Sequence, residues 1–462
     1  MTTKKLVSDV LATFVAEQSF DAIPEIVRGR AKLLLLDAIG NAYASTRLEF
    51  AHKALTALRG LGSGNSNVIG MPTLLGLRDA AMMNSMLVHG GDFDETYLPG
   101  SVHMTASCVP TALAVAADAG ASGKDLLLAL ILGLEVAARL GAAGKGGFNL
   151  AGFHATNLIG IFGCTMIAGR LMQLGQAKLV MAQGISLSMA AGTHQPLEEG
   201  SWTKRMHPGF AAASAITAVA LARQGFIGPT ETYEGKYGLY PCFLGAHAAN
   251  VDLDLATSDL AKRWEFTRSS VKLYPACHQT HALIKAAVKL RRTPGFDVAN
   301  IESIRGLVSE AAVPLICEPL ATKLKPPSNY AAQFSMHYTI ACGLVRGQMS
   351  NEELDESSYS SAELLEVASK VKYEVDPNGG FPKTRTGEVI IRMKNGQVLS
   401  QREEIGPDQP EPEEDILAKF MLNTKPHLLP ARASALRDIV MDIENFADVG
   451  ALGRMLGGTG RN

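Results

Sequence analysis

The sequence has few cysteines, and none of them is spaced for a disulfide framework. Its six cysteines are widely separated and include no Cys-x-x-Cys pair, which is typical of a protein from a reducing compartment. The N-terminal residues lack the apolar core of a secretion signal, because Asp9 falls where that core would lie. The longest apolar runs, such as 126–134, are too short to span a bilayer. These absences predict a cytoplasmic protein that does not cross a membrane.

Motifs for nucleotide, phosphate and serine-hydrolase chemistry are missing as well. No G-x-G-x-x-G follows a predicted strand, and Walker A, G-x-S-x-G and H-E-x-x-H patterns do not occur. The 43 basic and 45 acidic side chains nearly balance, and no basic patch interleaved with aromatic residues stands out. The sequence therefore predicts no nucleotide cofactor and no nucleic-acid partner.

Helical periodicity dominates the first half of the chain. Between Lys4 and Phe226, apolar residues recur at i, i+3, i+4 and i+7, as they do on one face of an amphipathic helix. The predicted helices cover residues 4–18, 23–44, 50–61, 76–90, 105–120, 123–143, 155–172, 175–192 and 208–224. We therefore expect an all-helical domain over 1–265, with a partner subunit covering part of its apolar surface.

Strand signals begin only after about Trp264. Segments 301–309 and 370–375 have strand character, and 388–394 and 397–404 are joined by Asn395-Gly396, a strong hairpin signal. Helices are predicted near 279–291, 329–346, 361–369, 414–422 and 430–447. The predicted fold class is mainly α, with a large all-helical domain and a smaller α+β domain (266–405). The C-terminal helices (406–462) are expected to return to the helical domain.

One polar stretch lies between two predicted helices of buried character. It contains three carboxylates and two imidazoles: His89, Asp92, Asp94, Glu95 and His103. Catalytic groups commonly lie on loops held by a rigid scaffold, and clustered carboxylates and imidazoles shift one another's pKa values. The stretch therefore indicates a candidate site, although a capped interhelical loop is an alternative interpretation.

Two further clusters are linked to predicted helix starts. His154 directly precedes an apolar helix, where a histidine is often only a cap or a residue at the edge of the core. Lys204 and His207 precede a buried helix that Pro208 opens. Because a helix N-terminus attracts anions, this second position is suited to a carboxylate. A solvated charged turn is the alternative interpretation.

The last cluster lies at the junction of the predicted domains and runs from Lys272 through Cys277 and His278 to His281. The two histidines are spaced i, i+3, which could serve a metal, but no third ligand is indicated.

Together, the four clusters offer cations for two or three carboxylates and groups that move protons. The predicted reaction is proton abstraction beside a carboxylate of a small polycarboxylate, followed by elimination, epimerisation or decarboxylation.

The order of these motifs resembles the MmgE/PrpD family, and the likeness covers nearly the whole chain. The matching motifs are Asp92-Phe-Asp94-Glu95-Thr96 with His103, Phe153-His154-Ala-Thr156, Thr203-Lys204-Arg205-Met-His207-Pro-Gly, and Lys272-Leu-Tyr-Pro-Ala-Cys277-His278-Gln-Thr-His281. That family includes 2-methylcitrate dehydratase, cis-aconitate decarboxylase and iminodisuccinate epimerase. The resemblance implies a helical domain with a smaller lid-like α+β domain, a homodimer, and catalysis without a metal or an organic cofactor.

The resemblance also implies roles for individual residues. The expected catalytic residues are Asp92, His103, His154, Lys204 and Lys272, and the further substrate-binding residues are Thr96, His207, Cys277 and His278. The two lysines and His154 are expected to bind carboxylates, while His103 and Asp92 move the proton at the acidic carbon.

Two departures from the family pattern bear on the reaction. Cys277 stands where the decarboxylase branch has a pocket histidine, and Tyr97-Leu-Pro-Gly-Ser replaces the tryptophan-rich stretch of the methylcitrate dehydratases. Segment 201–209 is more similar to the decarboxylases and epimerases. We predict a cofactor-independent dehydratase acting on a citrate-like acid. The alternatives are an epimerase of an iminodisuccinate-like substrate, a cis-aconitate-type decarboxylase, and an inert metabolite-binding or structural family member.

Overall fold

Long helices build the N-terminal part of the chain, as the periodicity predicts. The computed structural model describes residues 5–199, 201–381, 383–406 and 409–458. Its long N-terminal helices are α1 (Val7–Glu17), α2 (Glu25–Ser45), α3 (Glu49–Leu61), α4 (Leu77–His89), α5 (Thr105–Asp118), α6 (Gly123–Ala143), α7 (Ala155–Leu171), α8 (Gln176–Leu187) and α9 (Thr203–Arg223). Shorter helices in the same part are Gly147–Leu150, Gln195–Glu199, Leu239–Leu244 and Asp254–Thr257.

The start of α9 corrects one prediction. The helix begins at Thr203 instead of 208, so Lys204 and His207 lie in its first turns and do not precede it. Pro208 is the sixth residue of this helix and lies inside it, so its missing N–H leaves the Lys204 carbonyl oxygen without the usual i→i−4 hydrogen bond. Lys204 consequently extends from the turn whose N–H groups and dipole favour an anion.

Helix α6 forms part of the core, and its apolar stretch is longer than the sequence prediction of short apolar runs allowed. It is long and apolar enough to cross a membrane, but its apolar window is entirely buried inside the protein. Ser122 and Asp125 form the predicted capping box at its start. Within the helix, Glu135 and Arg139 form a fully buried ion pair of 2.6 Å. A buried helix of this composition is what the core of a large helical unit requires.

Packing of the helices brings four of their ends together. Helix α9 packs against α4 and α7, while α5 packs against both of those helices. The end of α4, the start of α5, the start of α7 and the first turns of α9 carry the polar motifs found in the sequence. The helical part of the chain therefore positions these motifs as neighbours.

By its contacts the chain divides into a larger unit, 1–271 with 411–462, and a smaller unit, 272–410. Glu411, where the chain returns to the larger unit, accepts hydrogen bonds from the Val271 N–H (2.8 Å) and the Ser270 hydroxyl (2.6 Å). The C-terminal helices of the larger unit are Glu413–Thr424, Pro430–Met441 and Val449–Leu456. The first of them packs against α2. The helix predicted over 430–447 ends earlier, at Met441. The last helix, Val449–Leu456, was not predicted.

A short antiparallel hairpin, β1 (Ser66–Asn67) and β2 (Leu74–Leu75), also belongs to the larger unit. The smaller unit contains a four-stranded sheet in the order β4-β3-β5-β6. Its strands are β3 (Ile301–Val308), β4 (Val371–Val375), β5 (Arg385–Met393) and β6 (Val398–Ile405). Strands β3 and β4 are parallel, and the other neighbours are antiparallel. The predicted Asn395-Gly396 turn joins β5 to β6, and Gly396 has the positive φ of 85° that favours glycine.

Helices cover the apolar side of this sheet. The helices of the smaller unit are His281–Arg291, Leu320–Leu324, Asn329–Gln333, Met336–Val345, Glu356–Tyr359 and Ala362–Ser369. The single helix predicted over 329–346 is in fact two, because the Ser335 hydroxyl accepts a hydrogen bond from the Tyr338 N–H and so caps a new helix. The predicted fold class, mainly α with a smaller α+β part, is confirmed.

Candidate active site

The loop between α4 and α5 begins with an ion pair. Asp92 follows two glycines at the end of α4 and adopts a left-handed backbone with φ of 51°, a conformation that aspartate tolerates better than most residues. Its Oδ1 atom lies 2.9 Å from the Nζ atom of Lys204 in the first turn of α9. Both side chains remain partly exposed, at 15% and 16%. The structure thus brings together two predicted site residues, and a ligand can reach them.

Behind this ion pair, a buried aspartate holds a buried histidine. The Nδ1 atom of His89 lies 2.8 Å from Oδ2 of Asp94, and both side chains are almost completely buried. Because a carboxylate only accepts, Nδ1 carries the proton of this bond when Asp94 is ionised. The Nε2 atom of His89 has no hydrogen-bond partner among the described residues; in the neutral ring it keeps its lone pair and can take up a proton, which the imidazolium can then return. Neither residue is among the expected site residues, although both lie in the polar stretch that the sequence indicated.

His103 is held in one tautomer by the backbone. Its Nδ1 atom lies 2.7 Å from the Glu95 carbonyl oxygen, and a carbonyl oxygen can only accept, so Nδ1 carries the proton. The Thr96 hydroxyl lies 3.5 Å from the same nitrogen. In the neutral ring, Nε2 therefore keeps its lone pair. The side chain is 13% exposed, so a ligand can reach the ring.

His154 and His207 form a pair across α7 and α9. Their Nδ1 atoms are 2.9 Å apart, so one must donate and the other accept. Burial, reinforced by Lys204, holds the pKa of His154 well below its usual value. Burial and nearby cationic groups lower the pKa of His207 to about 4. Both rings are therefore neutral at pH 7. His154 occupies the position before α7 but its side chain caps nothing, so the simple-cap interpretation is wrong.

The imidazoles form one cluster. Ring centroids lie 5.1 Å apart for His89 and His103, 5.5 Å for His89 and His154, and 5.1 Å for His154 and His207. His194 joins the cluster at 5.8 Å from His154, and burial with Lys204 lowers its pKa as well. Sequence reasoning missed His194, which belongs to none of the four motifs. Lys204 makes it costly for these rings to take up a proton, and a bound anion would offset that positive charge.

An anionic ligand should therefore bind together with protons. A carboxylate placed near His207 raises its pKa from about 4 toward or above the ordinary 6.5, so proton uptake is expected between those two pH values. Calorimetric titration with tricarballylate at pH 6, in two buffers of different ionisation enthalpy, measures this uptake. The apparent enthalpies should differ at pH 6 and coincide at pH 8. Equal enthalpies at pH 6 would show that the cluster does not sense the anion.

Three of these side chains also have the geometry to hold a metal ion. The potential ligand atoms of His89, Asp94 and His103 all lie within 4.8 Å of one another. In the arrangement seen, however, Nδ1 of His89 bonds to Asp94 and Nδ1 of His103 bonds to a backbone carbonyl. A metal ion here would therefore have to bind the Nε2 atoms or displace these hydrogen bonds. The absence of a metal cofactor stays a prediction.

Glu95 fixes the far end of the loop. One of its carboxylate oxygens accepts hydrogen bonds from the Met104 and Thr105 N–H groups at 2.7 and 3.0 Å, and the Thr105 hydroxyl donates to the other. These contacts satisfy the first N–H groups of α5. Burial raises the pKa of Glu95 to about 8. Glu95 therefore positions the loop, and its buried carboxyl does not face solvent.

A buried ion pair fixes the middle of the loop. Lys419, in the helix Glu413–Thr424, lies 2.6 Å from Oδ1 of Asp37 in α2, and both side chains are at most 3% exposed. The same ammonium donates to the Phe93 carbonyl oxygen at 2.8 Å, and Asn41 donates to that oxygen at 3.2 Å. Phe93 lies between Asp92 and Asp94. The helix Glu413–Thr424 and α2 therefore together hold the backbone between the two aspartates.

Lys419→Met is expected to destabilise the larger unit by about 3–5 kcal/mol, because it leaves the Asp37 carboxylate buried without a counter-charge. Urea unfolding followed by circular dichroism measures the loss. The double variant Asp37→Asn/Lys419→Met should recover part of it, since no unpaired charge remains. Lys425→Met, at an exposed position after the same helix, is the matched control. A Lys419→Met protein as stable as this control would show that the buried pair contributes little.

The remaining expected site residues lie in the smaller unit. Lys272 is its first residue and is buried, with 2% exposure. Cys277 is half-buried, and His278 is buried and begins a short 3-10 turn before His281–Arg291. The rings of His278 and His281 are neighbours, with centroids 4.7 Å apart, and Nε2 of His281 bonds to the Ala276 carbonyl at 3.1 Å. The roles of Lys272, Cys277 and His278 in substrate binding stay predictions.

Comparison with known proteins finds family models and relatives that match most of the chain. The family model for the MmgE/PrpD N-terminal domain matches residues 9–252, and that for the MmgE/PrpD C-terminal domain matches residues 274–445. The cis-aconitate decarboxylase of Aspergillus terreus (strain NIH 2624 / FGSC A1156) is 28% identical over 94% of this chain and 93% of its own. The human cis-aconitate decarboxylase is 27% identical over 98% and 95%. The cis-aconitate decarboxylase-like protein oryM of Aspergillus oryzae is 24% identical over 97% and 96%.

The names of these relatives place lyase activity on carboxylic acids in the family. Both family models match in chain order, and together they cover most of the sequence. The chain therefore belongs to the MmgE/PrpD family.

Proposed function

We propose that this protein is a cofactor-independent lyase that moves a proton at the carbon next to a carboxylate of a small di- or tricarboxylic acid. The observation that carries the proposal is the fixed tautomer of His103, whose Nδ1–H is bound to the Glu95 carbonyl. In the neutral ring, Nε2 is then the nitrogen that can take up a proton, and the rings of His89 and His154 are its neighbours. Lys204 is a cation of the same cluster, since it lowers the pKa of His154. A base held in one orientation next to a cation is what abstraction from an acidic C–H requires.

Dehydration of a citrate-like acid is the reaction that this arrangement supports best. His103 Nε2 takes the proton from the carbon beside a carboxylate, and the electron pair of the broken C–H bond forms the carbon–carbon double bond. The neighbouring C–O bond breaks, and the hydroxyl leaves as water with a proton from a second group. His89 is the candidate donor in its doubly protonated form, in which Nδ1–H stays bound to Asp94 and Nε2–H is the proton that leaves with the hydroxyl. Its Nε2 atom has no partner among the described residues, and its ring centroid lies 5.1 Å from that of His103. Lys204 stabilises the charge that develops on the carboxylate.

Decarboxylation is the second candidate, and the relatives favour it. Proteins named as cis-aconitate decarboxylases are 27–28% identical over nearly the whole chain. In that reaction a C–C bond breaks, carbon dioxide leaves, and the carbanion takes up a proton from an imidazole of the same cluster. Cys277 argues against decarboxylation, because the decarboxylase branch that the chain resembles has a histidine at this position.

Solvent-exchange NMR distinguishes these reactions. The protein is incubated in D₂O with citrate, 2-methylcitrate, cis-aconitate and an aminodicarboxylate, and the products are followed by proton NMR. Double-bond formation supports a dehydratase, and carbon dioxide release supports a decarboxylase. Exchange without net product supports an epimerase. Neither exchange nor product with any of these acids would contradict the proposal and favour an inert family member. Unchanged turnover after dialysis against a chelator supports cofactor independence.

A further inference from the structure

Arg385 has buried N–H groups without an acceptor. It is the first residue of β5, where its backbone pairs with Ile405 at the end of β6. Its Nε and Nη1 atoms are buried, and neither has a hydrogen-bond partner in the described part of the chain. Guanidinium N–H groups form a rigid fork of donors. Burying two of them without an acceptor costs free energy that a structural role does not explain.

A comparison within the same chain shows what a structural buried arginine looks like. Arg139 in α6 is fully buried, and its Nε atom bonds to Glu135. Its two terminal nitrogens donate to backbone carbonyl oxygens, among them those of Ser258 and Arg263. Every nitrogen of that guanidinium thus has a protein acceptor. Arg385 lacks this arrangement at two of its nitrogens.

A second cation lies in the same region of the smaller unit. The ammonium of Lys323 donates to the carbonyl oxygens of Leu315 at 2.7 Å and Phe334 at 2.8 Å. Cys277 interacts electrostatically with Lys323 and with Arg385, so its thiol lies near both cations. Burial lowers the pKa of Arg385 to about 10, and the guanidinium therefore keeps its charge at neutral pH. The region thus holds two cations, and Arg385 lacks an acceptor at two of its nitrogens in the described part of the chain.

His337 adds a neutral donor next to Lys323. It lies in the helix Met336–Val345 and is completely buried. Neither of its ring nitrogens has a hydrogen-bond partner among the described residues. Burial lowers its pKa to about 4; the nearby Glu318 carboxylate opposes this shift, and Lys323 adds to it. At neutral pH the ring can therefore donate one hydrogen bond to an anion without adding charge.

We infer that Arg385 anchors a carboxylate-binding site inside the smaller unit, with Lys323 and His337 as its neighbours. The guanidinium fork matches the two oxygens of a carboxylate, and the bond that forms is charge-assisted. The choice of a carboxylate over another anion rests on the proposed function. Arg385 is absent from the site residues expected from the sequence, so the site would be a new carboxylate contact within the smaller unit.

Binding of tricarballylate, which has three carboxylates and no hydroxyl to eliminate, tests the inference on the full-length protein. Calorimetry should show an affinity for Arg385→Met about tenfold or more below that of the unchanged protein, because a charge-assisted bidentate contact is lost. Arg385→Lys should fall between the two, since it keeps the charge without the fork. Arg392→Met, an exposed arginine on the same strand, is the matched control and should bind as the unchanged protein does. Equal affinity for Arg385→Met and Arg392→Met, or no binding of tricarballylate by the unchanged protein, overturns the inference.

Thermal stability separates binding from structure. Without ligand, Arg385→Met should unfold at the same temperature as the unchanged protein or higher, because the substitution removes a poorly compensated buried cation. A clear drop in unfolding temperature would mean that Arg385 is structural and overturns the inference. If binding depends on Arg385 but no acid is turned over, the proposed function fails and the binding site stands. If His103 variants abolish turnover while Arg385→Met binds normally, the binding site fails and the function stands.

Discussion

His103→Asn is expected to lower kcat by about 10²–10⁴-fold, the range that one positioned general base contributes. Asparagine keeps a donor near the place of Nδ1, so the bond to the Glu95 carbonyl can persist. It has no atom that replaces Nε2. The variant thus removes the base and preserves the loop, and KM should change much less than kcat.

The matched control is His52→Asn, since His52 is an exposed histidine in α3. Circular dichroism and thermal unfolding should be the same for both variants, because the His103 substitution leaves Glu95 and α5 in place. Turnover is measured with whichever acid exchanges its proton in the NMR panel. Near-normal kcat in His103→Asn would remove His103 from the mechanism and leave His89 as the first alternative base.

Lys204→Met is expected to lower kcat/KM by about 10²–10³-fold, the usual effect of removing one group that stabilises developing charge. Its ammonium lies 2.9 Å from Asp92 at the accessible edge of the cluster. A substrate carboxylate entering there exchanges one anionic partner of Lys204 for another. Methionine keeps most of the length and the apolar stem but cannot make that contact.

The same substitution has a second readout, which does not depend on the substrate. Lys204 helps to lower the pKa values of His154, His194 and His207. Lys204→Met should therefore raise these pKa values, as NMR titration of labelled histidines would show. Lys262→Met, at an exposed lysine, should leave them unchanged. Unaltered histidine pKa values together with unaltered kcat/KM would place Lys204 outside the site.

The helices were predictable because each has a local cause in the sequence. Apolar spacing determines which face of a helix is buried, and the capping box of Ser122 and Asp125 starts α6 where expected. The errors occurred where two local signals competed. Pro208 suggested a helix start that lies at Thr203, and the apolar residues around Ser335 masked a cap that divides one predicted helix into two.

The candidate site was predictable to the extent that its residues are close in sequence. The polar stretch contained Asp92 and His103 together with His89 and Asp94, but their pairing depends on a backbone turn with φ of 51° at Asp92. Lys419 supports the loop from 326 positions away along the chain, and such a contact leaves no local pattern. Arg385 stands out only through the acceptors that it lacks, which a sequence cannot display.

The discontinuity of the larger unit has a consequence for the order of events during synthesis. Asp37 is made early, while its partner Lys419 leaves the ribosome only after the entire smaller unit, 272–410, has been translated. Until then Asp37 has no counter-ion from that helix, and the Phe93 carbonyl lacks its lysine donor. The N-terminal segment must therefore wait in an incomplete state, which favours contact with chaperones. A chain that terminates before the last helices would retain every expected site residue, yet the support for the Asp92–Asp94 segment would be missing.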